Sequence, residues 1–522
     1  MDEVARVMSP NKRIMLNVVA TYGRSLYALA IGLFCGRWTL MVLGEVDYGL
    51  MGVVGGLMAF VTFLNGIMAE SVSRYYAYAV GRMHVSENKF AGVEECRRWF
   101  SIALLLHTVI PAMLVVIGYP VGVQAIRRFL VIPPDRINDC IVVWRCACAG
   151  GFVAMAGVPF SAMYNAKQEI AELTVYSFCT TTLNFLILWY MVTHPDVWLA
   201  KYAVYGCVVS ILTQTIICCR AVFKYEECRF RREFVFDLKR TKSILVFAGS
   251  RFVTAFSQLM STQGLSVVVN KYLGPAKNAA MGIGNSIVSH TASLSSAMRG
   301  AFSPAITSAA GAGDMDAMRR MAMRSSRFST VSIMLFATPL LLEMREVVTL
   351  WLKTPPDGTI VLATFLLFNL LLSGISEGHA MSIFAIGRIA RFQAWESIWF
   401  FLRFAMGWWL VAVGFGIAAI GMAYVVTGVG SVLVKVWFGR KLCGISARGW
   451  IRDVVLPLGL SFAVSFVAGL LPRLSMDPSL IRVIATTAMV EVVLLPIVWM
   501  LVFSPEEKQV VVAKMRRIAV GR

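Results

Sequence analysis

Apolar stretches long enough to cross a membrane recur about fourteen times along the chain, each bounded by charged or turn residues. About 20 apolar residues cross a bilayer as a helix. The stretches are continuous and do not alternate apolar with polar positions, which predicts helices and not a barrel. The predicted spans lie near 16–40, 48–71, 99–121, 140–163, 172–193, 198–219, 243–270, 280–303, 328–350, 360–385, 393–414, 416–438, 453–471 and 482–503.

The composition supports an all-α polytopic membrane protein. Of the 522 residues, 58% are hydrophobic and only 15% are charged, and the mean hydropathy is +0.71. Soluble domains carry about 25% charged residues. A chain so poor in charge cannot cover a water-facing surface of this size, so we expect the bilayer to be its solvent.

The net charge of +20 could suggest nucleic acid, but its distribution indicates membrane topology. With the N-terminus inside, 32 of the 49 lysines and arginines fall on the cytoplasmic side, and 8 lie within spans. Such a bias is what the positive-inside rule describes. We therefore expect both termini in the cytoplasm and no nucleic-acid partner.

The chain repeats itself at a shift of 230 residues. Aligned positions include Leu43–Gly44 with Leu273–Gly274, Met51–Gly52 with Met281–Gly282, Leu64 with Leu294, Met68 with Met298 and Gly81 with Gly311. Six spans separate the copies, so both enter the membrane in the same direction, as in transporters with two parallel bundles. The predicted parts are an N-terminal bundle (1–225, spans 1–6), a C-terminal bundle (226–440, spans 7–12) and two additional spans with a tail (441–522).

Arginines inside spans are the candidate substrate-binding residues, since a charge there is costly unless it faces a cavity or a partner. Arg24 and Arg251 each lie about 12 Å from the cytoplasmic end of the first span of a repeat. The shift of 230 places Arg251 opposite position 21, on the helix face of Arg24. A guanidinium grips phosphate or pyrophosphate in bidentate fashion, so we expect an anionic cargo. Further candidates are Arg145, Arg299 and Arg403.

Three acidic residues inside spans, Glu70, Glu377 and Glu396, are candidates for ion coupling or for pairing with these arginines. Structural ion pairing remains an alternative for every charged residue in the spans. Five scattered histidines and eleven cysteines without a CxxC pair offer no metal cluster, so we expect no metal and no cofactor. The short external loops carry no catalytic set.

Three segments resemble a known family. They are LGEVDYGLMGVVGGLMAFVTFLNGIMAESVSRYYAYAVGR (43–82), NAAMGIGNSIVSHTASLSSAMRGAFSPAITSAAGAGDMDAMRRMAMRSSRFS (278–329) and AIGRIARFQAWESI (385–398). They are similar to bacterial polysaccharide transporters, the O-antigen and capsule flippases of the multidrug/oligosaccharidyl-lipid/polysaccharide exporter superfamily.

The resemblance implies fourteen spans with two six-helix bundles, in the bacterial cytoplasmic membrane. It implies alternating-access transfer of an undecaprenyl-pyrophosphate-linked oligosaccharide to the outer leaflet, for O-antigen lipopolysaccharide or similar polysaccharide synthesis. Relatives carry cationic residues in the first and seventh spans, where Arg24 and Arg251 lie. The resemblance further implies that a proton or sodium gradient or the membrane potential drives transport. It also implies a glycan polymerase or ligase as a partner.

Two other transport functions remain open at this point. A peptidoglycan-precursor flippase shares the fold and the cargo chemistry, and an exporter of drugs or small cations shares the fold alone. The exporter needs carboxylates deep in its cavity, for which Glu70, Glu377 and Glu396 are the candidates. A membrane glycan polymerase or ligase is disfavoured, because such enzymes usually place their catalytic residues in a large external loop.

Overall fold

Most of the residues that the computed structural model describes are helical, and no strand occurs among them. The described residues are 30–32, 34–57, 89–167, 169–194, 199–234, 237–387 and 389–509, with the single positions Gly23, Tyr27, Val72, Tyr75, Tyr76, Ala79 and Val512.

The chain forms two compact units, Met1–Ala279 and Ala280–Arg522. The helices of the first are α1 (Ala30–Leu57), α2 (Lys89–Gln124), α3 (Ile137–Ala156), α4 (Val158–Ala166), α5 (Ile170–Thr193), α6 (Leu199–Lys224), α7 (Leu238–Leu259) and α8 (Leu265–Leu273). A π-helical turn, Met260–Gly264, joins α7 to α8. The three-part division at 225 and 440 stays a prediction.

The second unit contains most of α9 (Pro275–Gly311) and all later helices. These are α10 (Met315–Leu352), α11 (Thr359–Ile375), α12 (Glu377–Ile386), α13 (Ala390–Ala412), α14 (Ala418–Cys443), α15 (Ala447–Ser475) and α16 (Leu480–Leu501). α15 includes a π-helical turn at Ile451–Val455.

Nine helices among the described residues are long and apolar enough to cross a membrane, or ten if the bent pair α11 and α12 is one span. The prediction of an all-α, multi-pass membrane protein is thereby confirmed. The count of about fourteen spans includes stretches outside the described residues and stays a prediction.

The last two helices show that lipid is the solvent. Ser461, Ser465 and Thr486 are fully buried, whereas Leu471 and Val492 are 64% and 68% exposed. Small polar residues let membrane helices approach closely and bond to each other, and Leu side chains are at home against lipid tails. The pattern is the reverse of a water-soluble bundle.

A buried ion pair fastens α16 to α10. The Arg482 guanidinium donates to Glu343 Oε2 at 2.8 Å, and Thr486 donates to Glu343 Oε1 at 3.0 Å. The Glu343 and Arg482 side chains are 1% and 9% exposed. Glu343 also departs from helical geometry (φ −111°, ψ 23°), four residues after Pro339, so α10 kinks where the carboxylate is held.

Two segments that the repeat aligns, 44–49 and 274–278, contact each other within the first unit. Gly44 and Gly274, at aligned positions, both adopt positive φ, +74° and +84°. Asn278 Nδ2 donates to the Gly49 carbonyl at 2.9 Å. A Cβ added at Gly49 would lie 1.9 Å from the Pro275 carbonyl oxygen. The start of α9 therefore approaches α1 this closely only because position 49 has no side chain.

The basic segment 220–242 is folded against the first unit. Lys224 donates to Glu172, and Arg240 donates to both carboxylate oxygens of Glu95, at 2.7 and 2.9 Å. Asp237 caps α7 by accepting the Arg240 amide at 3.1 Å. That hydrogen bond, with help from the Arg240 guanidinium, lowers the pKa of the Asp237 carboxyl below its ordinary value. Ion pairs thus hold the described residues of this basic segment against other helices of the first unit.

We predict that Arg482→Met lowers the free energy of unfolding by about 3–5 kcal/mol, because Glu343 is left as an unpaired buried charge. Thermal unfolding of detergent-purified protein measures the effect. The double variant Glu343→Leu/Arg482→Met should recover most of the loss, since the enclosed carboxylate is removed together with its partner and the second partner of Arg482, Glu346, is 20% exposed. Arg473→Met, at an exposed position, is the control. A single variant as stable as this control contradicts the prediction.

We also predict that Gly49→Ala destabilises the first unit by about 1–3 kcal/mol through overpacking against Pro275. Gly55→Ala is the matched control on the same helix, because a Cβ there meets nothing within 4 Å. Both variants replace glycine with alanine in α1, so their gain in helix propensity is the same. The difference between their melting temperatures therefore measures the clash with Pro275 alone. Equal melting temperatures show that the contact at Gly49 is not as close as described.

Candidate functional site

The structure describes the side chains of all predicted site residues except three. Arg24 and Glu70 lie outside the described residues. The backbone of Arg251 lies in α7, as the sequence predicts, but its side chain is outside the described part. The proposal that Arg24 and Arg251 share one cavity stays a prediction.

A break separates α11 from α12, and Glu377, one of the predicted acids, is the first residue of α12. The two helices meet at an angle of 50° around Ser376. The Gly378 amide, released from the helical pattern, donates to Ser326 Oγ at 3.0 Å. A Cβ at Gly378 would lie 1.8 Å from the Ala322 carbonyl oxygen. Close packing on α10 therefore fixes the break, and Glu377 is the first residue after it.

Arg299 of α9 lies beside this break. Its Nε is 3.8 Å from Glu377 Oε1, and its Nη2 donates to Ser296 Oγ. The Arg299 and Glu377 side chains are 37% and 18% exposed. At 3.8 Å the two groups attract without a hydrogen bond, which needs about 2.7–3.2 Å. The guanidinium is thus positioned by charge and keeps donors for another anion.

Glu396 and Arg403 lie seven residues apart on one face of α13, both toward α14. Ser431 Oγ is 2.9 Å from each carboxylate oxygen of Glu396. Arg403 Nε donates to Thr427 Oγ1 at 2.9 Å, and its guanidinium lies 4.4 Å from the centre of the Tyr424 ring. We call these five residues the polar seam. They join two spans by hydrogen bonds that lipid cannot replace.

Arg403 is far more buried than Arg299. Arg403 is 7% exposed and is held by a hydroxyl and an aromatic face, so contact with a cargo requires the polar seam to open. Its assignment to substrate binding stays a prediction. Sequence reasoning missed its partners Tyr424 and Thr427, although their spacing on one face of α14 was a signal.

Arg145 is an exposed cation on α3 of the first unit. Its Nε donates to the Tyr119 hydroxyl at 2.9 Å, and the neighbouring Trp144 indole donates to the Tyr119 carbonyl at 3.1 Å. Tyr119 lies on α2, so the two bonds orient α3 against that helix. The Tyr119 hydroxyl is neutral, and no carboxylate among the described residues pairs with Arg145, so its guanidinium is available to an anion.

Comparison with known proteins rests on structure alone. No protein-family model matches the sequence, and no curated protein matches it. A structure titled lipid II flippase MurJ, in an inward closed conformation, matches with a TM-score of 0.65 at 12% identity, over 92% of this chain and 98% of that one.

Two other transporters match over most of their length. An inward-facing multidrug-resistance MATE transporter of the MOP superfamily gives a TM-score of 0.57 at 14% identity, over 81% of this chain and 96% of that one. A MOP-superfamily transporter from Pyrococcus furiosus gives 0.59 at 14% identity, over 82% and 94%. The fold is that of the MOP-superfamily transporters.

This likeness confirms the predicted fold class. The structural neighbours are transporters and flippases, not enzymes. At 12–14% identity the likeness establishes the MOP fold and not a substrate.

We predict that Glu377 and Arg299 act together on cargo binding and contribute little to stability. An exposed or half-exposed pair stabilises a protein by roughly 0–1 kcal/mol. In a double-mutant cycle, Glu377→Gln, Arg299→Gln and the double variant should differ by less than about 1 kcal/mol in unfolding, yet should be strongly non-additive in transport. Additive losses of transport would show that the two residues do not act as a pair.

Proposed function

We propose that this chain is a flippase that moves an undecaprenyl-pyrophosphate-linked oligosaccharide across the bacterial cytoplasmic membrane by alternating access. The observation that carries the proposal is the partly exposed Arg299 beside a helix break, in a fold shared with a lipid II flippase. Broken helices commonly form the substrate sites of transporters.

The charges of the described spans favour an anionic cargo over a cationic one. The Arg299 side chain is 37% exposed, and Arg145 is also exposed. The carboxylate of Glu377 already faces Arg299, and that of Glu396 is buried against Ser431. Pyrophosphate offers oxygens to several arginine donors at once, which a cationic drug does not.

In the proposed cycle, Arg24 and Arg251 capture the pyrophosphate from the cytoplasmic side and Arg299 assists. The sugars occupy the polar interior while the lipid tail stays in the bilayer. Coupling to a proton or sodium gradient, through Glu70, Glu377 or Glu396, belongs to the same proposal. So do cytoplasmic termini and cooperation with a glycan polymerase or ligase.

Two alternatives follow from particular structural neighbours. The match titled lipid II flippase favours a peptidoglycan-precursor flippase, with the same pyrophosphate chemistry. The matches titled multidrug-resistance MATE transporters favour a drug or cation exporter, for which the buried Glu396 is the best described candidate.

We predict that Arg299→Gln lowers transport by one to two orders of magnitude, because a charge-assisted hydrogen bond contributes about 1.5–3 kcal/mol. The double variant Arg24→Ala/Arg251→Ala should abolish it. The readout is surface glycan in a deletion strain that expresses each variant, with the amount of membrane-inserted protein measured in parallel. Arg345→Gln is the control, since Arg345 is an exposed arginine within a span and has no role in the proposal.

The deletion strain also separates the alternatives. Accumulation of a lipid-linked oligosaccharide supports the proposal, whereas rescue of a strain lacking its essential peptidoglycan-precursor flippase favours the first alternative. Increased drug susceptibility with normal surface glycan favours the second. Normal glycan in the Arg24→Ala/Arg251→Ala variant contradicts the arginine site.

A further inference from the structure

A cavity of about 770 Å³ lies in the second unit, where α10, α15 and the segment after α16 come together. All three segments belong to the predicted cytoplasmic side. Five arginines line the cavity: Arg319, Arg320, Arg324, Arg327 and Arg452. Neither the proposed transport site nor the repeat involves it.

The C-terminal segment holds part of the cavity wall in place. Ser504 and Glu507 cap each other, because the Ser504 amide donates to Glu507 Oε2 at 2.7 Å and the Glu507 amide donates to Ser504 Oγ at 3.3 Å. The same Glu507 carboxylate contacts Arg324 at 2.8 Å and Arg327 at 3.1 Å. Arg327 also donates to the Val502 carbonyl at 2.6 Å. These two arginines are therefore fixed before any ligand arrives.

Other charges leave the cavity positive. Arg319 is held by the Cys443 carbonyl and by Asp316, both outside the cavity lining. Arg320 and Arg452 are exposed and contact no carboxylate among the described residues. The carboxylates near the arginines are Asp453 and Glu506 in the lining, and Glu507 and Asp316 outside it. Five positive charges against four negative ones leave a net positive charge, which favours an anion.

Apolar surface borders the charged wall. Leu501 lines the cavity and is 43% exposed, and Leu456, next to the lining residue Pro457, is 60% exposed. A free phosphate needs no such surface, whereas an acyl chain does. Basic pockets between membrane helices on the cytoplasmic side suit the headgroups of anionic lipids.

We propose that this arginine cavity binds the phosphodiester headgroup of an anionic membrane lipid, with an acyl chain along Leu501 and Leu456. Arg320 and Arg452 supply the donors that no carboxylate occupies, and Arg324 and Arg327 form the fixed wall. The site is independent of the cargo, so it does not rest on the proposed function.

The test is thermal unfolding of the purified full chain in a nonionic detergent, with added dioleoyl-phosphatidylglycerol, dioleoyl-phosphatidylcholine or inorganic phosphate at equal ionic strength. Phosphatidylglycerol should raise the melting temperature in a saturable way. The variant Arg320→Gln/Arg452→Gln should weaken the apparent affinity for it tenfold or more. The matched control is Arg440→Gln/Arg448→Gln, two exposed arginines on the same predicted side that do not line the cavity.

Three results would overturn the proposal. An equal response to phosphatidylcholine would reduce the effect to apolar contact. Inorganic phosphate reproducing the full shift would make this a site for free anions and not for lipid. An unchanged affinity in the Arg320→Gln/Arg452→Gln variant, with the control also unchanged, would place the lipid elsewhere on the protein.

Discussion

The bilayer cannot supply hydrogen bonds, and most features of this structure follow from that constraint. A buried polar group gains from a partner within the protein, because an unpaired one in hydrocarbon costs several kcal/mol. Hydroxyls such as Ser461 and Ser465 bond back to their own helix, while Leu side chains face outward. The Gly378 amide, freed by a helix break, is satisfied by Ser326. Breaks and kinks are therefore placed where a neighbouring helix offers a partner.

The same constraint divides the ionisable residues of the spans into two kinds. Glu343 and Arg482 are almost completely enclosed and share several hydrogen bonds, so they can join two helices but cannot exchange partners cheaply. The Arg299 and Glu377 side chains are partly exposed, and Arg299 Nε lies 3.8 Å from Glu377 Oε1. A transporter needs the second kind, since a charge that binds cargo must release it again. The described part of this chain thus contains both an enclosed ion pair and a partly exposed one.

Part of this could be predicted from sequence because it depends on local pattern. Continuous apolar stretches predicted the membrane helices, and the repeat aligned Gly44 with Gly274, which both adopt positive φ. Partners distant along the chain could not be predicted. Glu343 and Arg482 are 139 residues apart, so neither residue type nor spacing links them. Arg403 carried the same sequence signal as Arg299, and only the packing of α14 over it showed that it is enclosed.

The central claim is that the chain transfers a pyrophosphate-linked glycan lipid between leaflets. The most direct measurement uses purified protein in proteoliposomes that contain a fluorescent undecaprenyl-pyrophosphate oligosaccharide, with a membrane-impermeant quencher added outside. Glycan lipid enclosed in the inner leaflet should become quenchable much faster than in protein-free liposomes, while a cationic dye trapped in the lumen stays inside. Glycan transfer no faster than in protein-free liposomes, or rapid release of the dye, would contradict the claim.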